Sequence, residues 1–450
     1  MSRVLIASYY FAPMAKIGAV RWTKISKYLA RMGYDIDVIT TSAKSLEDPL
    51  LIRDARELKN IYYIDHKDSR FSALPEYKDA QNAAKAAQSG SGKKPLIRRV
   101  KDLIWRSSLL KYPTSVYVAS QDYRRSKDFA AQAEKFISQK LDMSSYDAII
   151  CSYGPTSMTL LGLWLKKNYP QIPLIMDFRD PMTGRYPFPY NQLYGRLQSR
   201  ICSAAERIIT VTEGCLPRIC GSKHTEKRLV VPNGYDAEDF PQAEPHREEK
   251  YTIVYTGGMY GGRADFSPLL RAISQLAESG ELDLNDIRLH HVGPDSEVFR
   301  SQAENFMLGD ILVSHGRLDR SEALEWQRAA RLLTMFVWNT KKENGILTGK
   351  FLEYINSGSP VAAIISGDLG GSTLRRAIER GCFGIAYESV NDAVDYAALV
   401  DYIRSDYARW KQGLAADYSP DKEYAESFSY PHIAKQTAAL IESVCAEAQK

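Results

Sequence analysis

Short apolar runs alternate with longer amphipathic stretches along most of the chain. This alternation is typical of a parallel β-sheet covered by helices. In the first half, the pattern predicts helices over residues 21–32 and 158–168, and strands over residues 4–8, 35–40, 148–152, 174–177 and 207–212. A small, polar stretch that contains glycine is predicted to form an exposed loop over residues 83–95.

The periodicity stops near residues 241–250, where proline and charged side chains predominate, and then restarts. Predicted helices follow over residues 266–278, 320–330 and 350–355, with strands over residues 252–255, 288–292, 311–313, 332–337 and 361–365. We therefore predict two similar α/β domains, residues 1–240 and 241–429. Such a pair is expected to bind its ligand in the cleft between the domains, at the carboxyl ends of the strands.

The composition is that of an ordinary globular protein, with 44% hydrophobic and 25% charged residues. The net charge of +5 does not indicate general nucleic-acid binding. The six cysteines form no Cys-x-x-Cys pair and show no zinc-ligand spacing, so a reduced, cytoplasmic protein is expected. No apolar run approaches the roughly 18–20 residues that are needed to cross a bilayer.

Two loops that contain glycine follow predicted strands. In the first loop Gly18 precedes the helix that carries Arg21, and in the second loop Gly257 and Gly258 begin a four-glycine stretch that ends at Arg263. Glycine lets main-chain N–H groups approach an anion closely, and a helix N-terminus adds to the attraction. Contact with a phosphate would explain both loops. The alternative for the first loop is a glycine in a turn beside a solvated arginine, and the alternative for the second is a merely flexible loop. The second loop matches neither a P-loop nor a complete Gly-x-Gly-x-x-Gly pattern.

The most informative segment is a loop with Gly345, Thr348 and Gly349 that leads into a predicted helix. Lys350 stands in the first turn of that helix, and Glu353 lies three residues on, on the same side. The loop and the helix N-terminus can hold a diphosphate whose charge Lys350 counters, while Glu353 can accept hydrogen bonds from a ribose diol. The alternative, a Lys–Glu pair on the helix surface, leaves the flanking glycines unexplained.

Residues 345–364 resemble the donor-binding segment of family 4 glycosyltransferases, which have the GT-B fold. Further segments agree with that family in chain order, namely residues 11–18, 152–156, 177–181, 231–236 and 255–263. The resemblance therefore covers nearly the whole chain. It implies an α/β protein of two Rossmann-like domains whose parallel sheets face each other across a deep cleft. It also implies a C-terminal helix, residues 430–450, that packs back on the first domain.

In function, the resemblance implies a retaining, metal-independent glycosyltransferase that needs no cofactor. The second domain would mainly hold a UDP- or GDP-sugar, and the first would hold a saccharide or polyprenyl-diphosphate-linked acceptor for polysaccharide assembly. The expected catalytic residues are Arg263, Lys350 and Asp180. The expected donor-binding residues are Gly18, Gly257, Gly258, Arg263, Arg317, Gly345, Thr348, Gly349, Lys350 and Glu353. No metal ligand is expected.

The chemistry behind these roles is charge stabilisation. Breaking the anomeric C–O bond develops negative charge on the diphosphate, which Arg263, Lys350 and loop N–H groups would absorb in a site closed to water. The departing phosphate would itself take the acceptor proton, which accounts for the lack of an obvious general base. The family commonly carries a glutamate near the donor sugar at the position of Gly345, so the transferred sugar is left open.

The expected acceptor-binding residues are Arg21, Asp177, Arg179 and Asp180. The last three stand at the end of a predicted strand, where carboxylates suit acceptor hydroxyls, although an Arg–Asp pair that fixes the loop explains them equally well. Arg317 follows a strand at the place where the family holds the donor base. A polar turn is the alternative there.

Residues 93–127 contain ten basic and two acidic side chains, so this segment is more positive than the whole chain. Apolar residues, among them Trp105, interleave with the charges. Such a segment indicates docking on an anionic membrane surface, and the alternative is a solvated helix packed on its own domain. Docking at the inner face of the cell membrane would suit a lipid-linked acceptor.

Two other functions are compatible with the sequence. The first is a nucleotide-sugar epimerase on the same fold, which needs no second saccharide and no basic segment. The second is a catalytically silent GT-B-like protein that binds a partner glycosyltransferase, a possibility that Gly345 leaves open.

Overall fold

The computed structural model describes residues 2–66, 108–184, 186–240, 244–245 and 248–449, and of residues 108–111 only the main chain. The chain divides into two compact units. Unit 1 comprises Met1–Pro232 and Ala434–Lys450, and unit 2 comprises Asn233–Ile433. The predicted loop at residues 83–95 and the first part of the basic segment, residues 93–107, lie outside the described residues.

Unit 1 is built on a parallel sheet, to which the described residues contribute seven strands in the order β3-β2-β1-β4-β5-β6-β7. The inner strands are apolar runs that are buried on both faces, as a sheet with helices on each side requires, whereas the edge strands β3 and β7 are partly exposed. Their bounds are Arg3–Ser8 (β1), Asp35–Thr41 (β2), Asn60–Ile64 (β3), Ala148–Tyr153 (β4), Leu174–Phe178 (β5), Arg207–Thr210 (β6) and Arg228–Val230 (β7).

Helices cover this sheet and bury their apolar side chains against it. Phe129, Met158 and Ile201, from three different helices, share one core with the strand side chains. The described helices of unit 1 are Ile17–Arg31 (α1), Pro49–Ala55 (α2), Ser108–Lys140 (α3), Ser157–Asn168 (α4), Tyr190–Ala204 (α5) and Leu216–Cys220 (α6).

Unit 2 repeats the plan with six described strands in the order β10-β9-β8-β11-β12-β13, all pairing in parallel. Tyr251, Phe266 and Leu399 lie in its core. The strands are Tyr251–Thr256 (β8), Ile287–Val292 (β9), Leu312–Gly316 (β10), Leu332–Trp338 (β11), Val361–Ser366 (β12) and Gly384–Glu388 (β13).

The described helices of unit 2 number eight, and of the last of them only the first residues belong to this unit. They are Ser267–Glu278 (α7), Ser296–Glu304 (α8), Arg320–Ala329 (α9), Gly349–Ile355 (α10), Thr373–Gly381 (α11), Asp392–Lys411 (α12), Lys422–Glu426 (α13) and Tyr430–Ala448 (α14). From Ala434 onward α14 belongs to unit 1, where the Tyr34 hydroxyl donates to the Glu442 carboxylate at 3.0 Å.

Among the described strands, the order of each sheet reverses at one point. In unit 1 the reversal lies between β1 and β4, and in unit 2 it lies between β8 and β11. The loops that leave the carboxyl ends of two such strands turn to opposite faces of the sheet and leave a crevice between them. The two reversal points are therefore the places where each unit is expected to bind a ligand.

The predicted α/β fold class of two Rossmann-like units is confirmed by this topology. Element bounds differ by a few residues, chiefly at α1, which begins at Ile17 where the pattern predicted residue 21. No helix within the described residues is long and apolar enough to span a membrane.

Candidate functional site

The reversal point of unit 2 carries a lysine that joins two loops. Lys350 stands in α10, which follows the loop after β11, and its Nζ donates to the Tyr260 hydroxyl at 3.0 Å. Tyr260 belongs to the loop after β8, and its ring lies 4.8 Å from the Lys350 ammonium. The positive charge is therefore fixed at the mouth of the crevice between β8 and β11.

Gly257 leaves the room that Lys350 occupies. A Cβ atom at this position would lie 2.1 Å from Lys350 Nζ, and the backbone φ of +145° disfavours any other residue. The sequence motif predicted close main-chain approach to a bulky charged group. In the structure the group that approaches Gly257 is the lysine itself.

A second cation, Arg263, belongs to the same cluster. Its guanidinium lies 4.1 Å from the centre of the Trp338 ring, which in turn meets the Tyr260 ring edge-on at 5.4 Å. Arg263 also forms an ion pair with Glu343 at 3.4 Å, and both side chains are about half exposed, at 58% and 49%. Exposed ion pairs are weak, so a phosphate can compete with Glu343 for this arginine.

Glu353 points to a different set of partners from those of Lys350. One carboxylate oxygen accepts from Arg320 at 3.1 Å and the other accepts from Gln327 at 3.3 Å. Arg320 also pairs with Asp239 at 3.1 Å. A carboxylate has about four acceptor positions, so Glu353 retains capacity for a ligand hydroxyl. The alternative of a surface Lys350–Glu353 pair is not what the structure contains.

The loop before α10 explains the departure from the family pattern. Gly345 has φ +74°, in the left-handed region that a glutamate would occupy only with strain. Thr348 is the N-cap of α10, where its hydroxyl accepts from the Phe351 amide, and Gly349 begins the helix. Thr348 therefore has a structural role in addition to the donor contact expected of it.

Next to Lys350, hydrogen bonds connect the loops after β8, β9 and β10. The Gly257 amide donates to the Val292 carbonyl at 2.8 Å, and the Gly293 amide donates to the Gly316 carbonyl at 2.7 Å. The His291 side chain adds two further contacts. Its Nε2 lies 2.8 Å from the Gly257 carbonyl oxygen, and its Nδ1 lies 3.0 Å from the Ser296 hydroxyl. Because a carbonyl only accepts, Nε2 of His291 carries the proton. Burial lowers the pKa of His291 below its ordinary value, which favours this neutral form.

A second aromatic cluster follows the same edge of the sheet towards β10. His290 and His315 lie 3.0 Å apart through ring nitrogens, and both rings pack on Trp326, at centroid distances of 4.5 Å and 4.2 Å. Burial lowers the pKa of both imidazoles, while Glu248 opposes that shift. Arg317 follows directly on β10 and is exposed. At a strand spacing of about 4.8 Å it is roughly 10 Å from β8, and it does not join the Lys350 cluster.

Two of the four residues expected to bind the acceptor are buried. Arg21 and Asp177 are 1% and 0% exposed and form an ion pair at 3.2 Å. Asp177 also accepts from Trp22 and Ser152, and Arg21 donates to the Val231 and Pro232 carbonyls. Asp177 is therefore part of an Arg–Asp pair, but its arginine is Arg21, whereas the sequence alternative placed the pair within residues 177–180. The side chains of Arg21 and Asp177 support the sheet and are not on its surface.

Arg179 and Asp180, which follow directly in the chain, are more accessible. Asp180 is exposed, and Arg179 is partly buried at the reversal point of unit 1. The Arg179 guanidinium lies where Cβ atoms on Gly18 and Gly154 would be, at 2.7 Å and 2.8 Å. Gly18 was expected to approach a ligand phosphate, and in this structure its nearest neighbours are Arg179 and the Tyr10 ring.

Several residues of the unit 2 site were missed by sequence reasoning. Tyr260 stands inside the recognised glycine loop, and its position between the glycines was the only available signal. Trp338 ends a strand and Arg320 begins a helix, and neither position distinguishes a site residue from an ordinary one. The contacts of Trp338 and Arg320 depend on loops that pack together only in the folded chain.

Comparison with known proteins gives a likeness in structure but not in sequence. No protein-family model and no curated protein matches the chain. Among solved structures, sucrose-phosphate synthase from Thermosynechococcus elongatus is similar with a TM-score of 0.61 and 14% identity, over 99% of this chain and 100% of that one. Anabaena HepE in complex with UDP-glucose has a TM-score of 0.57 and 12% identity, over 98% and 100%. The lipopolysaccharide outer core galactosyltransferase WaaB has a TM-score of 0.56 and 12% identity, over 98% and 99%.

The chain has the GT-B fold. At these identities the likeness establishes the GT-B architecture, and function has to be argued from the site. Within that fold, the Lys350 cluster occupies the reversal point of one Rossmann-like unit and the Arg179 position occupies the reversal point of the other.

Proposed function

We propose that the protein is a retaining, metal-independent glycosyltransferase that uses a UDP- or GDP-sugar donor. The observation that carries this proposal is the pair of cations, Lys350 and Arg263, joined through Tyr260 and Trp338 at the reversal point of unit 2. The similar structures support it, since HepE was solved in complex with UDP-glucose and WaaB is a galactosyltransferase. Their similar fold supports glycosyl transfer as the class of reaction but does not specify which sugar is transferred.

In the proposed reaction, the anomeric C–O bond to the nucleoside diphosphate breaks and an acceptor oxygen takes its place on the same face of the sugar. Lys350 and Arg263 contact the diphosphate and stabilise the negative charge that develops as it leaves. The acceptor proton passes to the departing phosphate. Two positioned cations supply the positive charge that this leaving group needs, and for this reason we propose that the reaction proceeds without a metal ion.

Glu353 is proposed to accept hydrogen bonds from the donor ribose, with Arg320 and Gln327 holding its carboxylate in one orientation. The rings of His290, His315 and Trp326 lie along the same sheet edge. Arg317, at the end of β10, is proposed to lie near the donor base. Asp180, exposed after β5, is proposed to contact the acceptor.

The test is a panel of UDP- and GDP-sugars with the purified protein, each assayed with and without EDTA. We expect micromolar to millimolar binding of at least one donor and its slow hydrolysis in the absence of acceptor, both unchanged by EDTA. Isomerisation of the sugar would instead favour an epimerase, the activity ascribed to a similar structure from Listeria monocytogenes with a TM-score of 0.53. Absence of binding by every donor would favour a catalytically silent protein and would refute the proposal.

We further propose that the acceptor is lipid-linked and that the protein works at an anionic membrane surface. The described part of the basic segment lies on α3, where Tyr117 and Arg124, and likewise Val118 and Arg125, stand seven residues apart and exposed. Residues seven apart share one helix face. A face that combines aromatic, apolar and basic side chains is typical of helices that lie in the membrane interface.

Charge reversal of Arg124 and Arg125 to glutamate should weaken binding to vesicles that contain anionic lipid by about thirtyfold or more in a sedimentation assay, since each of the two lost cations contributes about 1 kcal/mol at such a surface. Binding to purely zwitterionic vesicles should be weak for both proteins. Because these side chains belong to unit 1, donor affinity should not change. Undiminished sedimentation of the double variant would contradict the role of this face.

A further inference from the structure

Among the residues that the structure describes, Arg179 is a cation without an acidic partner. It follows β5, and its guanidinium makes a long hydrogen bond, 3.5 Å from Nη2 to the Tyr153 carbonyl. No carboxylate in the described ranges forms an ion pair with it, and its Nε is buried without a hydrogen-bond partner there. The neighbouring buried carboxylate, Asp177, is already bonded to Arg21, Trp22 and Ser152.

The surrounding chain is shaped to hold the guanidinium in place. Gly18, in the first turn of α1, and Gly154, after β4, each lack the Cβ atom that would lie within 2.8 Å of it. These two glycines flank the reversal point of the unit 1 sheet, where an α/β sheet binds its ligand. A partly buried guanidinium that is positioned by two glycines and not neutralised by an acid is suited to a multiply charged oxyanion such as a phosphate.

The helix ends at this place add to the same electrostatic preference. Neither α1 nor α4 has a side-chain hydrogen bond at its N-cap, Lys16 and Thr156 respectively. No N-cap side chain therefore occupies the first-turn N–H groups, although those of Ala19 and Met158 donate to the Lys16 and Pro155 carbonyls. The helix dipoles favour a negative charge at these ends.

We propose that Arg179 is the phosphate receptor of unit 1 and that it binds the phosphoryl group of a phosphate-bearing acceptor. This inference rests on the proposed function and narrows it, because it assigns Arg179 to an acceptor phosphate, whereas the sequence pattern suggested hydroxyl groups. A prenyl diphosphate sugar fits, and a neutral oligosaccharide does not. In the reaction the phosphate undergoes no chemistry, so Arg179 is a binding residue that positions the acceptor.

The experiment measures pyrophosphate binding by titration calorimetry at low salt. The background is the Arg263→Ala/Lys350→Ala variant, in which the proposed donor site is disabled. Adding Arg179→Met should weaken pyrophosphate binding by about tenfold or more, the effect of losing hydrogen bonds to a charged group. Arg200→Met is the matched control, since Arg200 is exposed in the same unit and should leave the affinity unchanged. Equal affinity with and without Arg179→Met would overturn the proposal.

Further measurements distinguish an acceptor phosphate from a donor phosphate, and a loss of binding from a loss of folding. In the otherwise unaltered chain, Arg179→Met should bind UDP normally but farnesyl diphosphate at least tenfold more weakly, whereas a comparable loss of UDP affinity would overturn the acceptor assignment. Gly154→Ala, which displaces the guanidinium without removing it, should reproduce the defect, and an unchanged melting temperature of Arg179→Met should exclude general unfolding. If the chain binds no nucleotide sugar but its pyrophosphate affinity still depends on Arg179, the proposed function fails and this inference stands.

Discussion

The Lys350→Ala variant should lose turnover with a nucleotide-sugar donor by about a hundredfold or more, the cost of removing one positioned donor of positive charge from a leaving group. Lys350 holds its position through Tyr260 and the space at Gly257, whereas Arg263 is held over the Trp338 ring and by its ion pair with Glu343. Arg263 therefore cannot take over the position of the missing ammonium. The measurement is kcat for donor hydrolysis together with the donor Kd from calorimetry.

Lys342→Ala is the matched control, because Lys342 is exposed in the loop before α10. It should leave both quantities unchanged. The melting temperature of Lys350→Ala should stay close to that of the parent, since the lysine donates to the hydroxyl of an exposed tyrosine. A variant with unaltered kcat and Kd would show that the donor binds elsewhere.

The largest effect on stability is expected from Asp177→Ala. This change leaves Arg21 buried at 1% exposure without its carboxylate, and it removes the acceptor of the Trp22 and Ser152 hydrogen bonds. Breaking a buried ion pair by removing one partner costs about 3–5 kcal/mol. Hydrogen–deuterium exchange should show the loss of protection within residues 1–232, while peptides of unit 2 keep theirs.

The double variant Arg21→Met/Asp177→Ala provides the internal check. Because it removes the buried arginine together with the carboxylate, it should recover part of the lost stability relative to Asp177→Ala. A loss below about 1 kcal/mol for the single variant, measured from urea midpoints, would mean that water or a rearranged side chain satisfies Arg21, contrary to the buried network around Asp177.

The fold was predictable because its determinants are local and periodic. The apolar runs of β1, β4 and β8 are buried on both faces, and this produces the continuous hydrophobic stretches that the sequence displays. The position of Arg21 was not predictable in the same way. The pattern gives α1 an apolar face, but the helix is buried along most of its length, and Lys24 and Lys27 are both 0% exposed beside Asp54.

The candidate site was predictable in part. Glycines next to strand ends indicated where main chain approaches a charged group, and Lys350 was recognisable because it opens a helix after such a loop. The partners were not recognisable. Glu353 bonds to Arg320, which lies 33 residues away in the chain, and Arg263 bonds to Glu343 at a separation of 80. Such pairs arise from the order of strands in the sheet, and that order is a property of the whole unit.

The contact between Gly257 and Gly293 has a consequence for how this edge of unit 2 can change over evolutionary time. A Cβ atom on Gly293 would lie 2.1 Å from the Gly257 carbonyl oxygen, and His291 donates to that same oxygen. A larger or inserted residue in the loop of Gly293 would therefore displace the loop of Gly257, and this displacement would reduce the space that Gly257 leaves for the Lys350 ammonium. We therefore expect the loops of Gly257 and Gly293 to evolve together. A substitution in one loop should be tolerated only after a compensating substitution in the other.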